Sequence, residues 1–113
     1  MGVFNGFFPV LSGKEAEARA LASELLGPRR EQYDSFQAHS AITRETWAIA
    51  STPGGTFVNV WFEGSIEQGF ADLATGQDEF TVWFREQLLN ITGVDFSAPP
   101  DSAPPEIIFD WKP

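Results

Sequence analysis

A chain of 113 residues that is 42% hydrophobic is long enough for one packed core and too apolar to stay disordered. Its net charge of −9, from sixteen acidic and seven basic residues, argues against nucleic acid and anionic membranes as partners, which need a positive footprint. There is no cysteine and only one histidine, which leaves no disulfide, no thiolate metal site and no ordinary ligand set for zinc, copper or haem; no metal or cofactor is expected.

Residues 3–11, VFNGFFPVL, are rich in aromatic and β-branched side chains and predict a first strand. Ser12 followed by Glu15 has the spacing of a capping box, which predicts a helix with its apolar stripe on Ala18, Leu21, Ala22 and Leu25. Gly27-Pro28 interrupts that helix, because proline disfavours helical geometry in the residue before it. A second helical piece follows over 28–39, with Tyr33, Phe36 and Gln37 at i, i+3 and i+4.

Residues 42–51, ITRETWAIAS, predict the second strand, and Thr52-Pro53-Gly54-Gly55 predicts a tight turn into a third, GTFVNVWFEG. In the resulting hairpin Ser51 faces Thr56. Ile49 then meets Val58, Trp47 meets Val60 and Glu45 meets Phe62 on one face. On the other, Ala48 meets Asn59, Thr46 meets Trp61 and Arg44 meets Glu63. This register collects apolar residues on one face and places an opposite-charge pair on the other.

Ser65 and Gln68 suggest another capping box, opening a short helix through Phe70 and Leu73 that ends at Gly76. Asp78 opens a longer helix with its stripe on Phe80, Phe84, Leu88 and Ile91, closed by Gly93. Residues 97–105, SAPPDSAPP, form a proline-rich spacer that spans about 28 Å as polyproline. EIIFDW, residues 106–111, predicts a last strand at a sheet edge.

The order β-α-β-β-α-β predicts an α+β fold of the ferredoxin-like kind, one domain over 1–113, with an antiparallel sheet and its helices on one face. Trp47, Ile49, Val58, Val60 and Phe62 meet the helices. The opposite face keeps Phe57, Asn59 and Trp61, with Asn5 and Phe7 beside them. Three aromatics of ~150–250 Å² each make an apolar patch of roughly 450–750 Å². A monomer rarely exposes so much, and a second copy is the simplest cover.

The stretches VNVWFEG, ITRETWAIASTPGG, FTVWFREQLLNITGVDF and EIIFDW resemble a family of small bacterial proteins of the dimeric α+β barrel superfamily. That superfamily is similar in architecture to stress-responsive barrel proteins and antibiotic-biosynthesis monooxygenases. The resemblance runs from about Arg30 onward and implies two sheets packed open face to open face, with a small molecule held between them. The second reading it implies is a cofactor-independent monooxygenase or isomerase; a structural dimer without a pocket is the third. Haem-degrading members use an Asn on the first strand, a Trp and a His. Asn5 and Trp61 match two of these by type, but the second long helix reads Phe80 to Gln87 with no histidine, which argues against haem.

The candidate binding or interface residues are therefore Asn5, Phe7, Phe57, Asn59, Trp61, Glu63 and Arg44. An amide inside an aromatic barrel has to bond a partner subunit, a neighbouring strand or a ligand. Trp61 reads first as interface packing, and Arg44 with Glu63 as a cross-strand ion pair. His39, beside Ser40 at a helix end, and Glu45, a carboxylate at the margin of an apolar face, are the acid/base candidates. A solvated helix cap for His39 and a cap or rim role for Glu45 stand against that chemistry. The start of the chain has neither the basic residues nor the cleavage site of a signal peptide, and no apolar run reaches the ~20 residues of a membrane span, so the cytoplasm is expected.

Overall fold

The computed structural model describes residues 2–113. Three antiparallel strands form the sheet: β1 (Gly2–Val10), β2 (Arg44–Thr52) and β3 (Gly55–Gly64), in the order β1-β3-β2. Four helices complete the described structure: α1 (Glu15–Leu25), α2 (Arg30–His39), α3 (Ile66–Thr75) and α4 (Glu79–Thr92). The result is a small α+β fold compatible with a ferredoxin-like arrangement.

The hairpin has the expected register, with Ser51 opposite Thr56, Trp47 opposite Val60 and Arg44 opposite Glu63. The turn is held by Thr52, whose hydroxyl donates to the Gly55 carbonyl at 2.8 Å and accepts from the Gly54 N–H at 3.2 Å. β1 adds to the far side of β3, with Phe4 opposite Phe62, Asn5 opposite Trp61 and Phe7 opposite Asn59. Strand periodicity therefore puts Phe4, Gly6, Phe8 and Val10 with Val58, Val60 and Phe62 on the helix side. The Phe4 ring lies back over Gly6, where a Cβ would come 2.6 Å from it, and stacks on Phe62 at 5.2 Å between centroids.

The core joins Val10 to Ala18, Leu21 and Leu25 of α1, Leu73 of α3, and Phe80, Phe84 and Ile91 of α4, all buried. Tyr33 and Phe36 of α2 close it with edge-on contacts to Phe84, both at 5.8 Å. Arg29, just before α2, lays its guanidinium 3.9 Å from the Trp83 ring on α4. The end of α4 is tied to the end of β1, the Leu11 N–H donating to the Ile91 carbonyl at 2.8 Å.

Two capping boxes do not form. After β1 the chain turns through Gly13 (φ 82°), the Lys14 N–H bonding the Leu11 carbonyl, so α1 begins beyond Ser12's reach. Glu15 instead accepts from the Thr56 hydroxyl at 3.5 Å. Ser65 does stand at the N-cap of α3 but makes no side-chain bond there, and Gln68 turns to Asp72 at 2.7 Å. Asp78 and Gly93 cap α4 as expected, Asp78 accepting from the Thr81 N–H at 3.1 Å and Gly93 adopting φ 74°. The fourth strand is also missing. Beyond α4 the described residues hold no regular element, and Ile108, Phe109 and Trp111 are exposed. No helix is long and apolar enough to cross a membrane.

Candidate functional site

The sheet has two faces with different chemistry. On the open face, Val3, Asn5, Phe7 and Pro9 of β1 lie beside Glu63, Trp61, Asn59 and Phe57 of β3. Phe7 is exposed, and Phe57, Asn59 and Trp61 are half-buried among their neighbours. Asn59 Oδ1 is buried and has no hydrogen-bond partner. The expected ion pair between Arg44 and Glu63 is not among the salt bridges of the described residues. Arg44 instead reaches over the Trp61 ring, 5.5 Å from its centre, a cation–π contact that keeps its charge at the surface.

A partly open apolar pocket lies on the other face. A cavity of about 100 Å³ sits between the sheet and the helices, walled by Phe8, Leu21, Phe36, Val60, Phe62, Phe70, Phe84 and Phe96 among others. Its polar groups come mainly from α2 and β2, with Thr92 from α4. Gln37 Nε2 donates to Glu45 Oε1 at 2.8 Å and to the Tyr33 hydroxyl at 3.0 Å. Trp47 Nε1 donates to Glu45 Oε2 at 2.6 Å. Both carboxylate oxygens are thus held by neutral donors, and no cation pairs with Glu45 in the structure described.

This cluster follows from two periodicities. Tyr33 and Gln37 stand one helical turn apart on α2, so both side chains reach the same neighbour. Glu45 and Trp47 are two apart on β2 and share the inner face. The α2–β2 corner brings the pairs together through Ala41, at φ 54°, with the Ile42 N–H bonding the Gln37 carbonyl at 3.0 Å. β3 packs close beneath: a Cβ on Gly64 would lie 2.6 Å from the Ala41 carbonyl oxygen. Tyr33 as a residue is half-buried, but its phenolic end lies inside. Burial, followed by the charge and hydrogen bond of Glu45, holds its hydroxyl well above its ordinary pKa, with the bond from Gln37 working the other way.

Of the residues expected to carry function, only Glu45 lines this cavity. Its carboxylate is held there by Gln37 and Trp47. His39 is exposed in the last turn of α2, as expected, yet it is not merely solvated: its Nδ1 meets Asp72 Oδ2 at 2.7 Å. That pair borders a shallow cleft of about 560 Å³ with Ser35, Asp78 and Thr81. Tyr33, Gln37 and Trp47 were visible in the sequence only as core residues at helical and strand spacing. The signal that marks them is the carboxylate on the inner face of β2, which needs donors from the helix packed above it.

Among the described residues no group of three or more acidic, histidine or cysteine side chains is arranged to hold a metal. Comparison with known protein families, curated proteins and solved structures gives no match, so function is argued from geometry.

Proposed function

We propose that this protein is a homodimer in which each subunit binds one small, partly aromatic molecule in the cavity between its sheet and its helices. The cavity carries the reading: apolar, ring-lined, about 100 Å³, with Tyr33, Gln37, Glu45 and Trp47 along one wall. Apolar walls supply affinity and a few convergent polar groups supply orientation. The size suits a single ring; an apolar cavity of about 150 Å³ in another protein holds benzene. Glu45 can only accept, so the matching ligand presents a donor, as a phenol or an aromatic amine does.

The homodimer half rests on the open face. Phe7 is exposed there, and with the half-buried Phe57 and Trp61 beside it forms an apolar patch that a partner can cover. A two-fold partner covers it with the same patch. The resemblance to dimeric α+β barrels points the same way. In this arrangement the facing aromatics fill the barrel, and the ligand lies on the helix side of each sheet rather than between the sheets.

A second reading makes the cavity catalytic, as a cofactor-independent isomerase or monooxygenase. The observation that favours it is a carboxylate beside a phenol kept protonated, an acceptor and a donor facing one apolar space. The bonds already made by both Glu45 oxygens favour binding over proton transfer.

Native mass spectrometry tests both halves. The expected species is a dimer carrying extra mass that is lost on denaturation, either as purified or after incubation with phenol. Val60→Phe, which fills the cavity from the sheet side, is expected to lose the extra mass and keep the dimer. A monomer overturns the pairing. A dimer that takes up nothing even from added phenol overturns the binding.

A further inference from the structure

The segment expected to supply a fourth strand, residues 106–111, makes no backbone hydrogen bond in the structure described. Its pattern is nonetheless that of a strand. Ile107, Phe109 and Trp111 alternate with Glu106, Ile108 and Asp110, so one side is wholly apolar. Ile107, Ile108, Phe109 and Trp111 are 41%, 88%, 82% and 71% exposed. A short run carrying so much exposed apolar surface marks a contact yet to be made.

A matching surface exists on β1. This strand is hydrogen-bonded to β3 on one side only, which leaves its outer edge open. Natural sheets shield such edges with charge, bulges or short strands. β1 has nine residues, GVFNGFFPV, none of them charged, and it pairs with β3 without a break in register. Pro9 removes one donor near its end; the rest of the edge is a template for another strand. The opposite edge of the sheet, β2, begins with Arg44 and Glu45.

The spacer decides which β1 receives the segment. The end of α4 is already bonded to the end of β1, and the Phe96 ring sits 5.3 Å from Phe8. A strand running antiparallel along the chain's own β1 edge could therefore start within two or three residues of Phe96, as connections of this kind do. Nine residues, 97–105, intervene instead, four of them proline at 99, 100, 104 and 105. The link turns at Phe96-Ser97 and bends at Ala98 and at Asp101-Ser102, and it leaves the segment unpaired with the near edge.

We infer that residues 106–111 pair as a strand with the β1 edge of a second copy of this chain, and that the second copy returns the exchange. The inference rests on the homodimer proposed above and adds the element that locks it. Two-fold symmetry makes the exchange reciprocal, and each sheet then has four strands. Backbone bonds to β1 give affinity, and the Ile107, Phe109 and Trp111 side chains set the facing.

The test places a photo-reactive benzoylphenylalanine at Phe109 of the full chain, with the oligomer defined by sedimentation in the same buffer. The expected product has twice the chain mass, with the new bond mapped to residues 2–10 of the other chain. A product of single-chain mass bonded to its own β1 overturns the exchange, and so does a dimer with no bond to residues 2–10. A monomer in sedimentation overturns the homodimer itself, so the two failures are told apart. Phe109→Asp supplies a second readout, since that residue is exposed within its own subunit. Its dimer is expected to weaken at least about tenfold, and an unchanged dimer contradicts the exchange.

Discussion

Tyr33 is the only tyrosine in the chain, so its ionisation can be followed by ultraviolet absorbance without ambiguity. Its hydroxyl is held well above the ordinary value first by burial and then by Glu45. A pKa raised in the folded state means that the native protein binds this proton more tightly than the unfolded chain does. Stability from this group is therefore complete below about pH 10, the unfolded value, and is lost as pH rises through the folded value. The phenolate band is expected only well above pH 10, together with loss of the tryptophan near-ultraviolet dichroism. A reversible phenolate signal near pH 10 in folded protein would contradict the buried cluster. Glu45→Gln is expected to lower the titration while leaving it above the ordinary value, because burial is the larger cause. The sequence already singled out Glu45, through a hairpin register that set a carboxylate opposite Phe62. It did not reveal the donors. Gln37 reaches Glu45 from a helix, around a corner whose geometry depends on Ala41 and Gly64, and no local pattern encodes that meeting.

Among the elements, α4 and the α2–β2 corner make the most exposed claims. The Asp78 carboxyl is held below its ordinary value chiefly by the hydrogen bond from Thr81. Such a cap contributes above about pH 4 and fades as pH falls through the lowered folded value. Asp78→Ala is expected to cost about 1 kcal/mol near neutral pH, with the difference from the native chain shrinking in acid. Denaturant titrations at the two pH values measure it. Gly64, at φ 151° with its would-be Cβ against the Ala41 carbonyl, allows β3 to pass beneath the corner. Gly64→Ala is expected to destabilise by about 2 kcal/mol or more, since both the backbone and the close approach resist it; an unchanged urea midpoint would refute that packing. α4 was legible because Asp78 and Gly93 are local signals that the fold leaves alone. The boxes at Ser12 and Ser65 misled because a cap competes with tertiary partners. Glu15 went to Thr56 and Gln68 to Asp72, and a turn through Gly13 moved the start of α1.

At the scale of the whole molecule, the sheet gives its two faces different tasks. The helix side holds a cavity with one polar wall, and the open side keeps an apolar surface around Asn59. Alternation along β2 and β3 predicted both faces, because the period of two leaves no freedom once the turn is set. Which face holds the empty space could not be read from alternation. It depends on how four helices fill the volume above the sheet, where Phe36, Phe70, Phe84 and Phe96 line the space that is left. The 106–111 strand failed to appear for a related reason. Its pattern is that of a strand, but a strand needs an edge within reach, and the spacer does not return it to the nearest one.

The claim that the helix-side cavity is a binding site is tested most directly by titrating the protein with 4-fluorophenol and following the ligand by fluorine NMR. A saturable shift or broadening is expected with the native chain, weaker in Glu45→Gln and absent in Val60→Phe, with both variants confirmed to be folded by thermal melting. A response that never saturates, or one that Val60→Phe leaves intact, would contradict the account and place binding elsewhere on the molecule.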